Sequence, residues 1–209
     1  MKRFFFLSII ISITLVAIHC AGKRVMVPPR IDLSDYEMIG IMEFTCNQKG
    51  KLADLTTRRF MEAAREDQSV IRIVQLGTEK DVLNKIGERK LTQSTYKKIG
   101  ESYKVATIIV GKIDISDVRP DIKISPGLFV MDFSADVDAT LDVQMVEAET
   151  GATLWNRSSE ATERIGGVSI LGLKDFAFDA KDPDKAYGKL VNRLVYYVTG
   201  DFRVSWVRQ

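Results

Sequence analysis

From residue 133 to residue 145 the chain reads FSADVDATLDVQM, and apolar and polar positions alternate without a break. Phe133, Ala135, Val137, Ala139, Leu141, Val143 and Met145 fall on one side, and Ser134, Asp136, Asp138, Thr140, Asp142 and Gln144 on the other. That period predicts a strand with one dry face and one solvated face, the pattern of antiparallel pairing. AETGATLW predicts a hairpin into a partner strand that runs to about Thr162. Elsewhere the period changes. EMIGIMEF (37–44) is apolar on both faces, as a central strand requires. After a turn over 47–50, LADLTTRRFMEAARE is a helix with Leu52, Leu55, Phe60, Ala63 and Ala64 on one half of its circumference. SVIRIVQL (69–76) is a strand. Thr78 is an N-cap, with Asp81 three places on, for a helix that buries Val82, Leu83 and Ile86. A second helix spans about 94–103 with Tyr96, Ile99 and Tyr103 on one side. KVATIIVGKIDI (104–115) is a strand. Asp182 and Pro183 form a cap and first-position proline, and Ala186, Tyr187, Leu190, Val191, Leu194, Val195 and Val198 make one apolar stripe before Gly200.

The resulting order, β-α-β-α-α-β-β-β-α, is that of one α/β domain with a mixed sheet over residues 37–209. Residues 20–36 hold Pro28 and Pro29 and no sustained period, which predicts a tether. Residues 116–131 and 165–181 are expected to be links.

The first twenty residues have a different character. Lys2 and Arg3 precede an almost unbroken apolar run from Phe4 to Ile18. Roughly twenty apolar residues are needed to cross a bilayer as a helix, so this run is short for a span. Basic start, apolar middle and small residues afterwards fit an export signal over residues 1–19. The AIHC ending resembles a lipoprotein box whose cysteine, Cys20, becomes the lipidated first residue. Ala17 and His19 depart from the usual leucine and small residue at those places. An ordinary cleaved signal and an uncleaved anchor are the alternatives.

Composition then removes several kinds of chemistry. His19 is the single histidine and lies in the segment to be removed, so the mature chain has none. Ser-His-Asp and Cys-His catalysis and the usual zinc ligand sets are thereby excluded. Cys46 is the other cysteine and reads as a small apolar side chain. Loss of Lys2 and Arg3 leaves 28 basic residues against 28 acids, which gives no field for nucleic acid. TCNQKGK lies between strand and helix, but Thr45 stands where a phosphate loop needs its first glycine and Leu52 where it needs a hydroxyl. Asp132, Asp136, Asp138 and Asp142 line one strand face and diverge at about 6.6 Å per residue pair, whereas calcium needs converging oxygens. Pairing with Lys112 or Arg157 across strands is the expectation. No enzyme activity, metal, cofactor or small-molecule substrate is expected.

Taken together, the lipobox-like start, the strand ending MEF, the helix LGTEKDVLNKIG, the strand VATIIVGKI and the hairpin VEAETGATLW resemble the curli-assembly (CsgG-type) lipoprotein superfamily. That superfamily also includes the LpoB-type activators of penicillin-binding proteins. The resemblance covers roughly residues 37–206. It implies a single three-layer-like domain of anticodon-binding or TolB-N-like architecture on a lipid anchor, acting by contact with envelope proteins or by self-association. Ala21 after the cysteine implies the periplasmic face of the outer membrane. A scaffold or activator in envelope assembly or secretion is the first expectation. The alternative is a subunit of an oligomeric secretion channel, for which both links look short, and the first is rich in proline and charge.

GGVSILGLKDFAF (166–178) is unusually apolar for a link. Ile170, Leu171, Leu173 and Phe176, with Phe178, are expected either to complete the core or to form an interaction surface.

Overall fold

The computed structural model describes residues 23–124, 131–166, 168–170, 176–178 and 180–208. Its strands are β1 (Arg24–Val27), β2 (Ile39–Met42), β3 (Thr45–Cys46), β4 (Lys49–Gly50), β5 (Ile73–Gly77), β6 (Thr107–Ile124), β7 (Met131–Glu147), β8 (Thr153–Gly166), β9 (Val168–Ile170), β10 (Phe176–Phe178) and β11 (Ser205–Arg208). Its helices are α1 (Leu52–Arg65), α2 (Glu79–Ile86), α3 (Gln93–Tyr103) and α4 (Pro183–Val198).

β2 is buried at each position because it lies between two parallel neighbours, β5 and β6, and between two layers of helices. The sheet order is β5-β2-β6-β7-β8, with β3 also beside β6. β6 pairs in parallel with β2 and antiparallel with β7, and β7 pairs antiparallel with β8. The sheet is therefore mixed and the domain α/β, in the element order read from the chain.

The helix ends follow local chemistry. Thr78 accepts from the Asp81 N–H at 3.2 Å, and Asp182 accepts from the Lys185 N–H at 3.2 Å with Pro183 behind it. Each side chain satisfies an amide that the first turn leaves without a partner. α1 and α4 cover one face of the sheet. There Phe44 and Phe60 meet edge to face at 5.3 Å, and Trp155 and Phe202 lie 4.7 Å apart. Leu190, Val191, Leu194 and Val198 complete that core. Thr57 of α1 is fully buried; its Oγ1 accepts from the Phe44 N–H at 2.9 Å and donates to the Ala53 carbonyl. A smaller core of Met42, Leu76, Val82, Ile99 and Ile108 lies under α2 and α3 on the other face.

Three expectations change. Of the segment 116–131, residues 116–124 and Met131 are strand rather than link, and 125–130 lie outside the described residues: β6 and β7 stay paired from Thr107↔Glu147 to Ile124↔Met131, with an irregularity after Ile115. β2 and β3 pair with β6 only as far as Ile113, so Pro120 falls in an edge portion, where proline is tolerated. Within 165–181, β9 pairs antiparallel with β10, which lies parallel to β4. The tether expected over 20–36 is structured from Arg24 onward. β1 pairs with β11, and Leu33 is fully buried in a short 3-10 turn.

Candidate functional site

Alternation along β6, β7 and β8 sends every second residue into the helix-covered core. The rest form an open polar face beyond the reach of α2 and α3. Registers place Lys112, Asp142 and Ser158 in one row, and Asp114, Thr140 and Glu160 in the next. Where this face meets the start of α2 there is a groove of about 560 Å³, lined in part by Glu43, Glu79, Lys112, Asp142, Gln144 and Asn156. Burial, reinforced by the charges of Asp54 and Asp81, pushes the Glu43 carboxyl above its ordinary value.

At the far end of the face, Arg119 grips Asp138 with two nitrogens at 2.6 and 3.0 Å and Asp117 at 2.5 Å. Thr162 donates to Asp138 at 2.6 Å. Hydrogen bonds from Arg119 and then Thr162 pull the Asp138 carboxyl down to about 2. For Asp138 the expected partner, Lys112 or Arg157, is thus replaced by Arg119. Lys112 pairs with Asp114 at 2.6 Å, and Arg157 with Asp201 at 2.8 Å. Among the described residues, no group of three acidic, histidine or cysteine side chains is placed to hold a metal ion. Such a face can hydrogen-bond a polar partner, and β8, which ends the sheet, can accept a further strand.

Of the residues read as candidates, Cys20, Leu171 and Leu173 lie outside the described residues. Ile170 and Phe176 are backbone partners across β9 and β10, and their side chains also lie outside the description. The end of the same segment enters the core. Phe178 is fully buried and meets Tyr187 edge to face at 5.7 Å. Cys46 is half-buried and free, and burial pushes its thiol above the ordinary value, which disfavours the reactive thiolate.

The two ends of the described chain carry a feature that periodicity did not show. β1 and β11 form a two-stranded ribbon, with Trp206 and Met26 64% and 55% exposed. The ribbon is held to the body by a polar clasp. The Gln68 side chain accepts from the Leu33 N–H at 2.7 Å and donates to the Ile31 and Phe202 carbonyls at 3.1 and 2.6 Å. Asp201 accepts from the Trp155 indole at 3.1 Å and pairs with Arg157. Burial raises the Asp201 carboxyl, but Trp155, Arg157 and Arg30 together outweigh it, and the group sits below its usual value. Among the described residues, no helix is long and apolar enough to cross a membrane.

No family model matches the chain, and no curated protein matches it in sequence. Among solved structures it is similar to the PelC dodecamer from Paraburkholderia phytofirmans, at 8% identity, over 90% of this chain and 99% of that one, with a TM-score of 0.48. It is also similar to the lipoprotein GNA1162 from Neisseria meningitidis, at 11% identity over 61% and 83% of the two chains, with a TM-score of 0.36. The LpoB C-terminal domain from Escherichia coli stands at 12% identity over 61% and 84%, with the same score. Identities and scores this low carry no functional weight. The curli-assembly resemblance rests on the sequence alone.

Proposed function

We propose that this protein is a periplasmic lipoprotein, tethered to the outer membrane through Cys20, that acts by protein–protein contact as a non-catalytic scaffold or activator in envelope assembly or secretion. The observation that carries this reading is the platform of β6, β7 and β8. One of its faces is sealed by α1 and α4, while the other is open and polar, and β8 ends the sheet. An extended segment of a partner can add to such an edge through main-chain hydrogen bonds, with specificity supplied by alternate side chains.

A second reading, a subunit of an oligomeric secretion channel, draws on the length of the β6–β7 hairpin. Its strands run to Ile124 and Met131, so the hairpin exceeds the about nine to eleven residues per strand that a membrane barrel needs. Asp117, Arg119, Asp121 and Lys123 along it weigh against lipid-facing strands.

One experiment addresses both readings. Palmitate fed to cells is expected to label the wild type and not Cys20→Ser, and the labelled protein, extracted in detergent, is expected to weigh as a monomer or small assembly. Equal labelling of both proteins sinks the anchor. A large closed ring favours the channel.

A further inference from the structure

The β1–β11 ribbon has no evident reason to be apolar. Its register sets Arg24 opposite Arg208, Val25 opposite Val207, Met26 opposite Trp206 and Val27 opposite Ser205. Directly opposed residues share a face, so Met26 and Trp206 lie with Arg24 and Arg208 on one side. Val25, Val207 and Val27 lie on the other. Trp206, Met26, Val207 and Val27 are all exposed. A lone two-stranded ribbon is marginal in water, and an apolar one is expected to be covered.

Two observations say by what. The first is charge. The chain as a whole is nearly balanced, yet residues 23–31 and 202–208 hold Lys23, Arg24, Arg30, Arg203 and Arg208 and no acid. A second copy of this surface would set cations against cations, whereas an anionic leaflet complements it. The second is reach. Three residues separate Cys20 from Arg24, four steps of at most about 14 Å of extended chain, so an anchored Cys20 confines the ribbon to headgroup depth.

We propose that the ribbon is a membrane-contact element. Trp206 and Met26 enter the boundary between headgroups and acyl chains of an anionic phospholipid leaflet, and Arg24 and Arg208 meet lipid phosphates. Tryptophan favours that boundary because its ring is apolar and its N–H polar, and arginine can keep its charge at the phosphate while its stem lies along apolar surface. The proposal rests on the lipid-anchor reading and adds a docked orientation to it.

The chain has two tryptophans, one buried (Trp155, 8% exposed) and one exposed (Trp206), which supplies a built-in probe. The full-length lipidated protein is reconstituted in vesicles of phosphatidylethanolamine and phosphatidylglycerol that carry bromine on the upper acyl carbons. Trp206 emission is expected to shift to the blue and be quenched by bromine. Trp206→Phe, with Trp155 reporting an intact fold, is expected to lose the quenching. The double change Arg24→Gln and Arg208→Gln is expected to weaken it, most clearly at low salt. Trp206 that stays open to aqueous iodide on vesicles overturns the proposal. So does protection that appears without lipid and grows with protein concentration, since that identifies a second copy as the cover. The anchor is judged separately by palmitate. Unlabelled wild type with quenched Trp206 removes the anchor and keeps the ribbon, and labelled wild type with Trp206 in water does the reverse.

Discussion

The carbonyl oxygen of Phe178 accepts from the Lys51 N–H at 2.8 Å and from the Tyr187 hydroxyl at 3.1 Å. Gly50 passes beside it at φ +121°, and a Cβ there would lie 2.1 Å from that oxygen. Glycine is required at this position by both backbone conformation and space. Gly87 makes the useful contrast, because its φ is +72° but an added Cβ would meet nothing within 4 Å. Gly87→Ala is expected to cost only the left-handed penalty, roughly 1–2 kcal/mol. Gly50→Ala is expected to cost clearly more, since backbone must also move, and urea midpoints of the two variants measure the difference. Equal losses would mean that β4 and β10 shift apart at no expense. The sequence marks Gly50 only as a turn residue. Its partner stands beyond three helices and five strands, so no local pattern signals the contact.

At the scale of elements, the β6–β7 hairpin shows what alternation can and cannot convey. The dry and wet faces of residues 134–145 are as the period predicts, because a one-residue slip would expose the whole buried set. The continuation of β6 past Ser116 was hidden by Pro120 and by the irregularity after Ile115. The ribbon was hidden for another reason: four residues are too few for a period, and the two strands are remote in sequence. Pairing choice was also illegible, since Arg119 rather than Lys112 or Arg157 takes Asp138. That ion pair has a measurable signature. Arg119 and Thr162 hold the Asp138 carboxyl at about 2, below the about 3.9 of an unfolded chain. Its stabilising contribution is therefore complete above about pH 4 and is lost as the pH falls through about 2. Carboxyl-detected NMR is expected to show the low midpoint in the wild type. In Arg119→Ala the midpoint is expected to rise, and an unchanged value would mean that the bidentate contact does not persist in solution.

For the molecule as a whole, the stripe on α4 decides how much stability the helix layer supplies. Leu194 is fully buried over the sheet, and Leu194→Ala is expected to cost about 2–5 kcal/mol in thermal or urea unfolding. One cooperative transition is expected throughout, as for other single domains of this size. An early separate transition would mean that α4 and the sheet unfold independently. The layer order was legible because it follows from apolar stripes. The open polar face was legible only as solvated residues, because nothing in a period says whether water or a partner covers a polar side. A further consequence follows from the pairing of β1 with β11. The chain is made from its N-terminal end, so Arg24–Val27 must wait for Ser205–Arg208 before it can pair. The entropy of closing so long a loop makes this contact slow as well as late. A polypeptide cut short anywhere before Ser205 could not assemble the ribbon. In such a fragment Met26 and Val27 would be left unpaired and open to proteases. The ribbon thus ties the first described strand to the last one, and forms only once Ser205–Arg208 has been made.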